Sequence, residues 1–110
     1  MESILVPTLQ KFSAEKMTKI NIFETEHFFC DIYCFEPGQS QKLHTHSDAD
    51  KVYFVLKGEG KFQVGEEVEN LGPGYAILAR SGLIHGVENS SSQQLVVLVF
   101  MSPNPNIKKV

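Results

Sequence analysis

No stretch of this 110-residue chain approaches the roughly 20 consecutive apolar residues that a membrane-spanning helix needs. The start, "MESILVPTLQKF", lacks both the basic segment and the long apolar stretch of a secretory signal, so a cytoplasmic location is expected. Positive charge is in short supply as well. Ten Lys and Arg against thirteen Asp and Glu leave a net charge of -3, which argues against a nucleic-acid partner or a phospholipid surface. Cysteine is limited to Cys30 and Cys34, in "EHFFCDIYCFEP". On a strand these lie on one face about 13 Å apart, at about 3.3 Å per residue. A disulfide needs Cα atoms within roughly 7 Å. Two reduced, buried thiols are expected instead.

Glycine is absent from the first 37 residues and the last 24; all eight lie between Gly38 and Gly86. They mark turns in "EPGQ", "GEG", "VGEE", "NLGPG" and "RSG". Between the turns run "KINIFE", "FFCDIYCFE", "KVYFVLK", "KFQV", "YAILA", "IHGVE" and "QLVVLVFM", short segments with strand character. A 3.6-residue apolar period is missing after residue 20, which excludes a helical fold. "FSAEKM" is predicted to form a single helical turn. The chain reads as one all-β domain over residues 1–110, a sandwich or barrel. Its last strand is apolar on both faces, as a strand buried between two sheets would be. "SPNPNIKKV", residues 102–110, reads as a surface tail, and "GEEVEN" as a solvated hairpin face.

Three of the four histidines carry the functional signal. His44 and His46 stand one residue apart, a spacing that on an extended strand aims both imidazoles to one side. His85 begins a later strand and is a candidate third partner. Three neutral imidazoles with open positions suit Fe, Zn, Mn, Ni or Cu. His27 has no sequence partner and reads as a surface residue.

The glycines around these histidines sharpen the signal. In "GQSQKLHTHSDADKVYFVLKG", residues 38–58, Gly38, His44, His46 and Gly58 fall on the first motif of the cupin family: Gly, five residues, His-x-His, three or four residues, Glu, six residues, Gly. In "GYAILARSGLIHGVEN", residues 74–89, Gly74, Gly82, His85 and Asn89 fall on the second, with Arg80 where the family usually has Pro. The sequence thus resembles a small single-domain cupin. The resemblance implies a double-stranded β-helix, or jelly-roll, barrel that is often a homodimer. It also implies a divalent transition metal held by two histidines and a Glu of the first motif and the His of the second.

The liganding Glu is missing. The position seven before Gly58 is Lys51, while Asp50 matches the shorter form of the motif. The alternation of "KVYFVLKG" turns Lys51 inward with Tyr53 and Val55; Asp50 faces inward as a possible fourth ligand only if the strand is bulged there. An ammonium repels a divalent cation and must bend away, find an anion or lose its proton. Three readings follow. Lys51 helps a three-histidine metal site hold an anionic substrate or a bound carboxylate. The metal has been lost, and the histidines and lysine form a metabolite pocket. Or Lys51 is exposed at the barrel mouth, covering it with its stem. Glu36 and Glu59 are candidate counter-ions. Tyr53, Phe62 and Val87 are expected to line the barrel, as core or as pocket.

Two functional classes follow. One is a metal-dependent, dioxygenase-like or isomerase enzyme acting on a small polar metabolite. The other is a non-catalytic cupin that binds a small molecule or regulates, with or without metal. The dimer contact is expected near "LVVLVFM" and "ILVPTL".

Overall fold

The computed structural model describes residues 1–107. Nine strands form it: β1 (Thr18–Glu24), β2 (Phe29–Phe35), β3 (Ser40–His44), β4 (Asp50–Lys57), β5 (Gly60–Val64), β6 (Glu67–Leu71), β7 (Ala76–Ala79), β8 (His85–Glu88) and β9 (Leu95–Ser102). All pairings are antiparallel, in a five-stranded sheet of order β1-β2-β9-β4-β7 and a four-stranded sheet of order β3-β8-β5-β6. The two sheets are the jelly roll that the glycine and histidine pattern implies. Among the described residues, no helix is long and apolar enough to cross a membrane.

Strand alternation builds the core. The inward residues of β2, β4 and β9 include Phe29, Tyr33, Phe35, Tyr53, Val55, Leu95, Val97, Val99 and Met101, which cluster with Phe62 of β5 and Val87 of β8. Each such apolar side chain, fully buried, contributes roughly 1.5–3 kcal/mol. Two polar residues share the inward parity on β2 and β4: Asp31, half-buried, and Lys51, 1% exposed. The register places Phe29, Met101, Lys51 and Ala79 in one row across the sheet.

The outer face of the larger sheet is apolar too, but a second sheet does not cover it. Ile32, Cys34 and Val96 pack instead under Val6, Leu9 and Phe12 of the N-terminal segment. The Thr18 hydroxyl donates to the Lys11 carbonyl, and the Gln39 amide donates to Ser13 O at 2.7 Å, holding that segment down. Cys34 is buried and Cys30 half-buried, both free, and burial pushes both thiols up in pKa.

Some local expectations change. The helical turn lies at Val6–Leu9, a 3-10 turn started by Pro7, and "FSAEKM" forms a bend. β3 and β6 are strands that an apolar count overlooks. On β3 only Gln41 is buried, and β6 is an edge strand exposed along most of its length. The segment read as a surface tail is anchored. Asn104 is 5% exposed, and its amide donates to Glu24 Oε2 at 3.0 Å and Thr25 O at 2.9 Å. Residues 108–110 of that segment lie outside the described residues.

Candidate metal centre and its pocket

Antiparallel pairing of β3 with β8 sets His44 directly opposite His85. His46 lies just beyond the end of β3, where its carbonyl accepts the Gly82 amide at 2.6 Å. The strand geometry assumed for the pair therefore stops at His44, and a turn contact from the second motif positions His46. Candidate ligand atoms of the three residues all lie within 4.8 Å of one another. The ring centroids are 4.9 Å (His44–His46), 4.4 Å (His44–His85) and 5.7 Å (His46–His85) apart.

The tautomers follow from the backbone. His44 Nδ1 is 2.8 Å from Lys42 O, and His85 Nδ1 is 3.0 Å from Leu83 O, each two residues back. A carbonyl only accepts, so both Nδ1 atoms carry the proton and both Nε2 atoms present a lone pair. Among the described residues, His85 Nε2 is buried without a hydrogen-bond partner. Burial lowers the pKa of all three imidazoles, that of His85 to about 4. Neutral rings, oriented by backbone carbonyls and with an orphaned inward nitrogen, fit a metal of the N-ligand class.

Asp50 does not join them. It is exposed, and its carboxylate accepts the Ser81 amide at 2.8 Å, because β4 runs unbulged at this end and its parity turns Asp50 outward. Lys51 is therefore the inward residue. Its Nζ lies 5.3 Å from the Tyr33 ring centroid and 5.0 Å from that of Tyr53. Burial, with the Lys19 cation adding to it, holds its pKa down to about 7. This excludes the exposed-lysine reading.

The pocket beside the histidines has a volume of about 300 Å³, and Lys19, Asp31, Tyr33, Gln41, Lys51 and the rings of His44 and His46 line much of it. Tyr53 does not line it: the residue is fully buried core, and its hydroxyl donates to Gln41 Oε1 at 2.7 Å. Phe62 and Val87 are core, 3% and 2% exposed, and do not line this pocket. Glu36 accepts from the Gln94 amide at 2.8 Å, and Glu59 is exposed; the carboxylate felt by Lys51 is that of Asp31. His27 is exposed beside Glu26.

Sequence reasoning missed Lys19, Asp31, Tyr33 and Gln41. A signal for two of them was present: in "FCDIYCF" the polar Asp31 shares strand parity with Phe29, Tyr33 and Phe35, an inward face that otherwise calls for apolar residues. Lys19 and Gln41 carried none, since only the pairing of β1 with β2 and the approach of β3 bring them to this wall.

The family model for the cupin domain matches residues 31–101 of the chain. The crystal structure of TT1209 from Thermus thermophilus superposes with a TM-score of 0.93 at 43% identity, covering 96% of this chain and 100% of that one. A conserved protein with a double-stranded β-helix domain from Klebsiella pneumoniae gives a TM-score of 0.86 at 22% identity, over 92% and 84% of the two chains, a likeness of fold. An oxalate-binding protein of Thermotoga maritima is 31% identical over 65 residues, 59% of this chain and about half (54%) of that protein.

Proposed function

We propose, because this chain belongs to the cupin family, that it holds a first-row divalent transition metal on His44, His46 and His85 and uses it to act on a small polar metabolite as an oxygenase or isomerase. The single observation that carries this reading is the buried Nε2 of His85, left without a partner among the described residues and grouped with two further imidazoles. An unpaired polar atom in the interior costs about 1–3 kcal/mol, a penalty that coordination removes. When bound, such a metal supplies Lewis acidity and a template that orients the reacting oxygen atoms.

The chain's own residues do the rest. The Lys42 and Leu83 carbonyls keep the His44 and His85 rings in the liganding tautomer. Gln41 fixes the Tyr53 hydroxyl, and the buried Tyr33 and Met101 form part of the pocket wall. A second reading, a non-catalytic small-molecule-binding cupin, is favoured by Lys51, which stands where the family has its anionic ligand. The Thermotoga maritima relative bears a binding name, in line with that alternative.

Elemental analysis of protein purified without a metal-binding tag tests the centre. Near one equivalent of metal is expected for the wild type, and a small fraction of that for His46→Ala and His85→Ala, since two imidazoles hold a labile ion weakly. Full metal content in both variants would place the metal elsewhere. Oxygen uptake or isomerisation on a panel of small polar metabolites then separates enzyme from binding protein.

A further inference from the structure

We infer that Lys51, with Lys19 beside it, forms the anion-binding half of the pocket, so that the small molecule taken up next to the three histidines is a carboxylate. The inference rests on the histidine reading above and names the chemistry of the ligand that site would receive.

The interior beside the histidines holds a buried cation. Lys51 is 1% exposed, and it forms part of the cavity wall. Two tyrosine faces at 5.0 and 5.3 Å are its nearest compensation. Cation–π attraction to the two rings favours the cation. Removing an ammonium from water costs more than such contacts return, so the rings offset only part of it. An apolar side chain would fill the row of Phe29, Met101 and Ala79 at no such cost.

The neighbours deepen the imbalance. Lys19 Nζ sits 5.2 Å from the same Tyr33 ring, so one ring carries two ammonium groups. Among the described residues, Asp31 is the one carboxylate in this wall; it already accepts from Asn21 Nδ2 at 2.8 Å and makes no close ion pair with either lysine. Burial raises the Asp31 pKa, while the charges of Lys19 and Lys51 act to lower it. The other titratable groups around Lys51 are Tyr33 and Tyr53, both pushed up in pKa, and the neutral imidazoles. None supplies negative charge.

All of this opens on a cavity of about 300 Å³, large enough for a small metabolite. A neutral ligand would leave the buried ammonium as it is. An anion would satisfy it, and the low dielectric of the site would strengthen the pairing. Among the described residues, the lining holds no arginine and no helix N-terminus; its donors are Lys19, Lys51 and the amides of Gln41 and Asn106. It therefore lacks the two features that most often grip a phosphate, an arginine fork and a row of helix N–H groups. A carboxylate, with two oxygens and one charge, matches one lysine and a neighbouring amide such as that of Gln41.

Isothermal titration calorimetry on zinc-loaded wild type, Lys51→Met and Lys19→Met, using malonate, its uncharged diamide malonamide and inorganic phosphate, tests this. Malonate should bind the wild type at least tenfold more tightly than malonamide or phosphate do. Lys51→Met should lose tenfold or more in malonate affinity at unchanged zinc content, and Lys19→Met should lose less. The assignment is overturned if malonate does not bind the wild type, if malonamide binds as tightly, or if Lys51→Met binds malonate as the wild type does. Tighter binding of phosphate would overturn the choice of carboxylate. Should the wild type take up no zinc, the metal reading fails, and the same titrations on metal-free protein still decide the role of Lys51. Should Lys51→Met not fold, Lys51→Gln replaces it, and the malonate–malonamide contrast is repeated on metal-free wild type, where coordination of the carboxylate to zinc cannot produce it; equal binding of the two there overturns the assignment.

Discussion

Lys51 separates folding from function most sharply at the residue scale. Its folded pKa of about 7 lies below the ordinary 10.5, so between these values the unfolded chain binds more protons than the folded one. Stability contributed at this residue therefore rises with pH from about 7 to about 10.5, by at most roughly 1.4 kcal/mol per pH unit. Below pH 7 both states are protonated and the burial cost is felt in full. Lys51→Met is thus expected to be more stable than the wild type at pH 6.5, by an amount that shrinks as pH approaches 10. Urea melts of both proteins at pH 6.5, 8 and 9.5 check this. A constant difference across the range would mean that the ammonium is not desolvated in the folded protein.

Elements matter through how closely they approach one another. At Gly58, φ is +80° and an added Cβ would come 2.2 Å from Gln94 O, so only glycine fits at the end of the first motif. Gly86 is a second tight point. A Cβ there would stand 2.9 Å from the backbone oxygen of Gln41 and 3.2 Å from Leu43 N, both on β3. β3 and β8 hold His44 and His85, so forcing them apart disturbs the histidine geometry itself. Gly86→Ala is expected to cost about 1–3 kcal/mol in stability. It should also weaken zinc binding several-fold, read by competition with a chromophoric chelator. Unchanged zinc affinity in a folded variant would show that β3 yields without moving His44. Asn89 joins the two motifs on the same scale. Its side-chain amide donates to Phe35 O and Gln93 O, and its backbone exchanges bonds with the Gly38–Gln39 turn. Asn89→Ala leaves those buried acceptors unpaired, an expected loss of about 2 kcal/mol by thermal or chemical denaturation.

For the whole molecule, the issue is the outer face of the larger sheet. The N-terminal segment covers Ile32, Cys34 and Val96, while Phe54, Leu78 and Phe100 on β4, β7 and β9 remain exposed, at 37%, 45% and 37%. Phe28 stacks on Phe100 with centroids 5.2 Å apart, extending this apolar area. The homodimer expected from the sequence would use this face, since a second copy presents the same apolar surface. Light scattering at micromolar concentration should give twice the chain mass, and Phe100→Glu should return the protein to monomer. A monomeric wild type would refute the dimer. Truncating Phe12 to Ala should cost about 2 kcal/mol, less than for a fully buried Phe because Phe12 remains half-exposed.

What the sequence by itself determined was the strand content, the jelly-roll class and the inward parity of β4. Glycine spacing, short alternating apolar runs and two motifs in register are local properties, legible wherever a side-chain period is two residues. The same locality explains the errors. "SQKLH" and "EVENL" carry too little apolar character to announce strands, yet pairing with β8 and β5 makes them so. The outer cover of β9 is a segment some ninety residues earlier in the chain, which no window along the strand contains. Only the tertiary structure decided which residues meet at the pocket. The wall around Lys51 takes Lys19 from β1, Asp31 and Tyr33 from β2 and Gln41 from β3, and the register between strands fixes their meeting. It also gave the outward Asp50 its partner, the Ser81 amide. Periodicity within a strand tells which side a residue faces; the hydrogen-bond register between strands tells what it faces, and that is set by the closed barrel as a whole.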